Sequence, residues 1–182
     1  MKRGWRSLVI LASVLSNSAG YGQTALKTSP GLYSFQEGTK LFKLRDYHGA
    51  IVKFDQAIKS DSKLAPAYYS RACCKHLLKD YQGCREDCTS SIRIDGSGNA
   101  MAYFQRAVAE YRLNQLDECI NDCNSALRLA PDFPHSMIYR AHAKEKKGDK
   151  RGALEDCNNY LKFYPEDSQA QRFKKRLTLH NK

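Results

Sequence analysis

The sequence predicts an all-α protein: a right-handed superhelical α-solenoid built from antiparallel helix pairs. Three observations predict it. Small residues recur at Gly38, Ala72, Ala107 and Ala141, at spacings of 34, 35 and 34. Twelve residues after each comes a second small residue, at Ala50, Cys84, Cys119 and Ala153. Four further on come Phe54, Cys88, Cys123 and Cys157. A period of this length with helical spacing inside it means stacked helix pairs sharing one core, because no single pair can bury its apolar face alone.

The first element is residues 1–22. Lys2, Arg3 and Arg6 precede an apolar run over 8–15, and small residues follow over 16–22. That order reads as a secretory signal peptide, with an apolar run too short to span a bilayer of roughly 30 Å as a helix. The expected location is periplasmic or secreted, in a bacterium. Removal of the segment would take the net charge from +11 to +8. Such a charge permits attraction to acidic proteins, anionic lipid or nucleic acid without choosing among them. Residues 23–30 read as a linker.

Four units follow, at 31–64, 65–99, 100–133 and 134–167, the second with one additional residue in the loop 95–99. With each unit numbered from its first residue, slots 8 and 20 are the small positions, where two helices can approach closely. Slot 24, Phe or Cys, is filler against the neighbouring helix. Each unit is expected to hold a first helix of about 14 residues, a turn near slots 15–16 and a second helix of similar length, stopped by Gly or Pro. Slot 7 is Arg71, Arg106 and Arg140 while slot 23 is Asp87, Asp122 and Asp156; in the first unit the signs swap to Glu37 and Lys53. Opposite charge kept through a swap predicts that the two slots face each other. Residues 168–182 form the last element, a capping helix with Ala170, Phe173, Leu177 and His180 on one face and Lys174, Lys175 and Arg176 largely off it.

With aromatics at slot 4 (Tyr68, Tyr103), small residues at slot 8, Tyr47, Tyr81 and Leu116 at slot 17, Ala57 and Ala126 at slot 27, and Pro131 and Pro165 at slot 32, residues 31–167 resemble the tetratricopeptide repeat family. The resemblance implies a non-catalytic scaffold whose first helices line a concave groove for a protein or peptide. Carried onto this chain, the groove residues are Phe35, Thr39, Phe42, Lys43, Tyr69, Cys73, His76, Phe104, Val108, Tyr111, Arg112, Ile138 and His142. Phe35, Phe42, Tyr69, Phe104 and Tyr111 are the expected apolar anchors, and Lys43 and Arg112 the groups that steer acidic side chains; the other reading is that slots 5 and 12 merely pack against their own superhelix.

One subclass of the family grips heat-shock chaperone tails with a two-carboxylate clamp of Lys, Asn and Arg. The corresponding positions here are Phe35, Thr39, Ser70, Met101 and Gln105, or, one unit later, Tyr69, Cys73, Gln105, His135 and Tyr139. Neither set fits, so a chaperone tail is not the expected partner. The alternative to groove binding is charge-driven docking on an anionic membrane surface or nucleic acid through the basic stretches 144–151 and 174–176.

Seven cysteines in an exported chain suggest disulfides, but the count is odd, and Cys84/Cys88 and Cys119/Cys123 sit four apart on helices. The same spacing invites a zinc site. Yet these slots also hold Ala50, Phe54 and Ala153, which marks packing positions, so buried free thiols and no metal or other cofactor are expected. Cys73, on the groove side, is the one expected to be accessible, with Cys74 inside. No histidine arrangement, phosphate loop or nucleophile motif points to an enzyme or a small-molecule substrate.

Overall fold

The computed structural model describes residues 29–96 and 98–179. The expected signal peptide at 1–22, most of the linker and His180 lie outside them. Among the described residues there are nine helices and no strand. They are α1 (Pro30–Lys43), α2 (Tyr47–Ser60), α3 (Ala65–Leu77), α4 (Tyr81–Asp95), α5 (Ala100–Arg112), α6 (Leu116–Leu129), α7 (Pro134–Lys146), α8 (Lys150–Phe163) and α9 (Ser168–Leu179). Each packs on its neighbours in the chain, and the first helices also meet one another, α1 with α3, α3 with α5 and α5 with α7. The first helices thus form one continuous row.

Each unit turns by the same device. Slot 15 adopts a left-handed conformation in all four, at Arg45 (φ 65°), Lys79 (φ 66°), Asn114 (φ 61°) and Gly148 (φ 90°). The next amide then reaches back across the helix end, as Asp46 N donates to Leu41 O at 3.0 Å and Asp80 N to Lys75 O at 2.9 Å. Slot 16 starts the second helix. Asp46, Asp80 and Asp149 accept from the amides of Gly49, Gly83 and Gly152 at 2.8–2.9 Å. A Cβ on those glycines would lie 2.2–2.3 Å from the capping carboxylate, so the aspartate and the glycine go together. The third unit has neither: Gln115 makes no side-chain cap, and Glu118 replaces the glycine.

Slots 8, 20 and 24 meet inside each pair. Ala72 packs with Cys84 and Cys88, Ala107 with Cys119 and Cys123, and Ala141 with Ala153 and Cys157. Slots 3 and 10 are buried against the preceding unit and are small: Ala67 and Cys74, Ala102 and Ala109, Ser136 and Ala143. The last helix repeats that burial with Ala170 and the larger Leu177. Its slot 8, however, is Lys175, exposed where another unit would need a small residue. α9 therefore closes the core with a polar outer face.

The predicted charge pairing holds in three units and extends further than expected. Arg71 Nε and Nη2 bond both oxygens of Asp87 at 2.8 and 2.6 Å, while Nη1 reaches Asp55 of the preceding unit at 2.5 Å. Arg106 does the same with Asp122 and Thr89, and Arg140 with Asp156 and Asn124. Each arginine thus joins two helices of its own unit to the unit before. In the first unit the expected contact between Glu37 and Lys53 does not form. Glu37 bonds Lys40 at 2.6 Å and Lys53 bonds Gln56 at 3.4 Å, each a neighbour on its own helix and therefore cheaper to reach.

Candidate functional site

The row of first helices carries all thirteen residues expected in the groove, but it does not expose them equally. Phe35, Phe42, Tyr69, Cys73, Phe104 and Val108 are buried. Phe35 packs on Phe54 (ring centroids 5.7 Å) and Phe42 on Tyr47 (5.6 Å), while Tyr69 is only 5% exposed. Four of the five expected anchors are therefore occupied by contacts between their own helices. The reason is local packing: Phe35 and Phe42 are covered by rings of α2 and Phe104 by Phe133 and Tyr139, whereas Tyr111, also at slot 12, stays half-exposed.

Cys73 is corrected in the same way. It is 3% exposed rather than accessible, and burial pushes its thiol, and the phenol of Tyr69, well upward. All seven cysteines are free and buried. Cys84 differs electrostatically: the Cys88 thiol hydrogen-bonds to it and draws it downward, with His76 and the Gln105 amide (3.6 Å) assisting, while Cys88 is driven up by burial. No group of three or more metal-binding side chains is arranged to hold a metal among the described residues.

The accessible part of the predicted set is Thr39, Lys43, His76, Tyr111, Arg112, Ile138 and His142. It is densest on α5 and α7. Tyr111 is half-buried, with the Tyr139 ring at 5.8 Å, the His142 ring at 6.3 Å and Lys146 Nζ 4.4 Å above its face. Arg112, exposed, acts electrostatically on both tyrosines. Tyr139 continues to Phe104 at 5.5 Å, and Phe104 to Phe133 at 5.0 Å and His135 at 6.3 Å. At the far side His142 stacks on Phe173 of α9 at 4.2 Å. Burial, with Arg176 and Lys146 nearby, pushes His142 below its ordinary value, so it is neutral near pH 7. The result is an aromatic surface in the third and fourth units, edged by two cations.

Tyr139 and Phe133 belong to this surface and were not expected in it. Tyr139 sits at slot 6, outside the slots that the family resemblance assigns to the groove, except in its clamp subclass. Its signal was an aromatic residue where the other units carry Gln36, Ser70 and Gln105. Phe133, in the loop before α7, falls outside any helical spacing.

In the basic stretch 144–151 two of the five cations are paired with carboxylates, while Lys150 and Arg151 are exposed. Lys144 Nζ lies 2.8 Å from Asp156, Lys147 contacts Asp117, and Lys146 lies over Tyr111. In 174–176, Arg176 is bidentate on Glu145 at 2.8 Å.

Comparison with known proteins agrees with this geometry. Residues 100–133 match the family model described as tetratricopeptide repeat. The mouse (Mus musculus) protein sperm-associated antigen 1 is 34% identical over 61 residues, 34% of this chain and 7% of that protein. The match thus spans only a small part of this curated relative. The solved structure of MamA superposes with a TM-score of 0.78 at 15% identity, covering 82% of this chain and 81% of that one. The second tetratricopeptide domain of human RPAP3, solved with the HSP70 peptide SGPTIEEVD, gives a TM-score of 0.61 at 26% identity over 63% of this chain and 95% of that one. Residues 100–133 thus resemble a tetratricopeptide repeat, and the array has the solenoid fold seen in tetratricopeptide domains.

Proposed function

We propose that this chain is an exported, non-catalytic scaffold that captures an extended segment of a partner protein on the concave side of its third and fourth units. One observation carries the reading: Tyr111, on the row of first helices, is partly exposed, with Lys146 over its ring and the exposed Arg112 next to it in the chain. An aromatic platform beside two cations suits a segment that places an apolar side chain next to carboxylates. Export rests on the sequence of residues 1–22 alone.

The RPAP3 domain was solved with a chaperone-tail peptide, which supports peptide capture as a use of this fold. The clamp positions argue for a different peptide here. Phe35, Tyr69, Met101 and Gln105 offer no cation to a terminal carboxylate, and Phe35, Tyr69 and Gln105 are buried. Docking by charge alone is less favoured, since Lys144, Lys147 and Arg176 are held by Asp156, Asp117 and Glu145.

The test is a peptide array probed with the protein at low and high salt. Peptides pairing an aromatic residue with Asp or Glu, which SGPTIEEVD does not, should bind, and should lose at least tenfold in affinity with Tyr111→Ala/Arg112→Ala. SGPTIEEVD should not compete. Binding that ignores both substitutions and vanishes with salt would replace this reading with the electrostatic one.

A further inference from the structure

Slot 11 is where the third unit breaks with its neighbours. In the second unit Lys75 Nζ lies 2.9 Å from Asp87, and in the fourth Lys144 Nζ lies 2.8 Å from Asp156. Each of those aspartates is therefore held by an arginine and a lysine. The third unit has Glu110 instead, 5% exposed, sharing Arg106 with Asp122 (Glu110 Oε1 to Arg106 Nε 3.9 Å). Its other oxygen, Oε2, is buried without a hydrogen-bond partner. Two carboxyl groups thus meet one guanidinium that is already bidentate on Asp122.

We propose that Glu110 and Asp122 form a proton-sharing carboxyl pair that holds α5 against α6 while one proton is bound and loosens the third unit when that proton leaves. Among the groups acting on Glu110 the one cation is Arg106, already bidentate on Asp122, and Arg85 of α4 is bonded to Gln115. From α6 the charged groups acting on Glu110 are Asp122 and Glu118, both anionic; its own helix supplies only Arg106. α4 brings Cys88, which acts on Arg106. The cations of α7 and its C-cap are engaged elsewhere, Arg140 and Lys144 on Asp156, Lys146 over the Tyr111 ring and Lys147 on Asp117. Glu118 stands where the capped units carry glycine, so the lost cap and the added anion belong to one local departure. Burial first, and Asp122 second, push the Glu110 carboxyl up to about 8.

The folded state therefore holds a proton that the unfolded chain releases. The stabilisation it brings is complete below the ordinary glutamate range, falls as pH rises from there, and is exhausted above about pH 8. α5 also presents Tyr111 and Arg112, so loosening it would disturb the docking surface; this last step rests on the docking reading above, whereas the carboxyl pair does not.

The pair is tested on the full chain by two measurements. Carboxyl carbon NMR of glutamate-labelled protein, with Glu110 assigned by its loss in Glu110→Gln, should give a midpoint well above 6; a midpoint near the ordinary value of about 4.3 would overturn the proposal. Thermal unfolding should show Glu110→Gln gaining on the native protein by roughly 5 °C between about pH 5 and pH 8.5. A difference that does not change with pH would also overturn it. Peptide binding that weakens above pH 8 in the native protein but not in Glu110→Gln ties the pair to the docking surface. An identical course in both cuts that tie, and no peptide binding at any pH would sink the docking reading alone.

Discussion

A Cβ placed on Gly38 would lie 2.7 Å from the Phe54 ring, closer than two carbon atoms can sit. The other units put alanine at slot 8 and cysteine at slot 24, so the glycine and the phenylalanine are two halves of one packing solution. Gly38→Ala should cost about 1–3 kcal/mol through overpacking. In a Phe54→Cys background the same change should be neutral or favourable, because it recreates the pairing of Ala72 with Cys88. Denaturant unfolding of the four proteins in a double-mutant cycle measures the coupling; additive costs would mean the ring simply moves aside.

The arginine–aspartate pairs should not be equal. Asp87→Asn leaves Arg71 and Lys75 without their buried carboxylate, and Asp156→Asn does the same to Arg140 and Lys144. Each should cost about 3–5 kcal/mol. Asp122→Asn should cost less, on the order of 1–2 kcal/mol, because Glu110 is in place to ionise and satisfy Arg106. Equal losses in all three units, read from urea midpoints, would contradict that ranking.

Tyr69→Ala with Phe104→Ala does not probe the groove cleanly. Both side chains are buried, and truncating either should cost about 3–5 kcal/mol of stability. Tyr111→Ala with Arg112→Ala should leave the melting temperature within a few degrees and remove peptide binding. The two double variants, compared by circular dichroism and fluorescence anisotropy, separate packing from docking.

The thiols offer an independent check on burial. Native protein should react with a disulfide reagent at none of its cysteines on the timescale of minutes, and at all seven once unfolded. Rapid labelling of Cys73 in the native state would place it back on the accessible surface.

The period, the helix pairs and the small residues at slots 8 and 20 were all legible in the sequence, because each follows from spacing and side-chain volume. So was the pairing of Arg71 with Asp87, where opposite charges recur in step. The third donor of each arginine was not legible, since its acceptors Asp55, Thr89 and Asn124 share a slot but no chemistry. Nor was the burial of Phe35 and Tyr69: a large residue facing an opening and one facing a seam look alike until the curvature of the array is known. Glu110 was visible as a letter that differs from Lys75 and Lys144, but its meaning depends on how close Asp122 lies.

Those same acceptors grade the array from end to end. Asp55 meets Arg71 with a full charge, whereas Thr89 and Asn124 meet their arginines as neutral groups. The equivalent Asn158 has its Oδ1 buried and unmatched, with Lys174 exposed at the place of the arginine. Pulled along its length, the solenoid would act as a spring of uneven stiffness, taut between its first two coils and slacker toward α9. A partner gripping the third and fourth coils would hold the softer end, and its grip would have the most freedom to draw the coils around it.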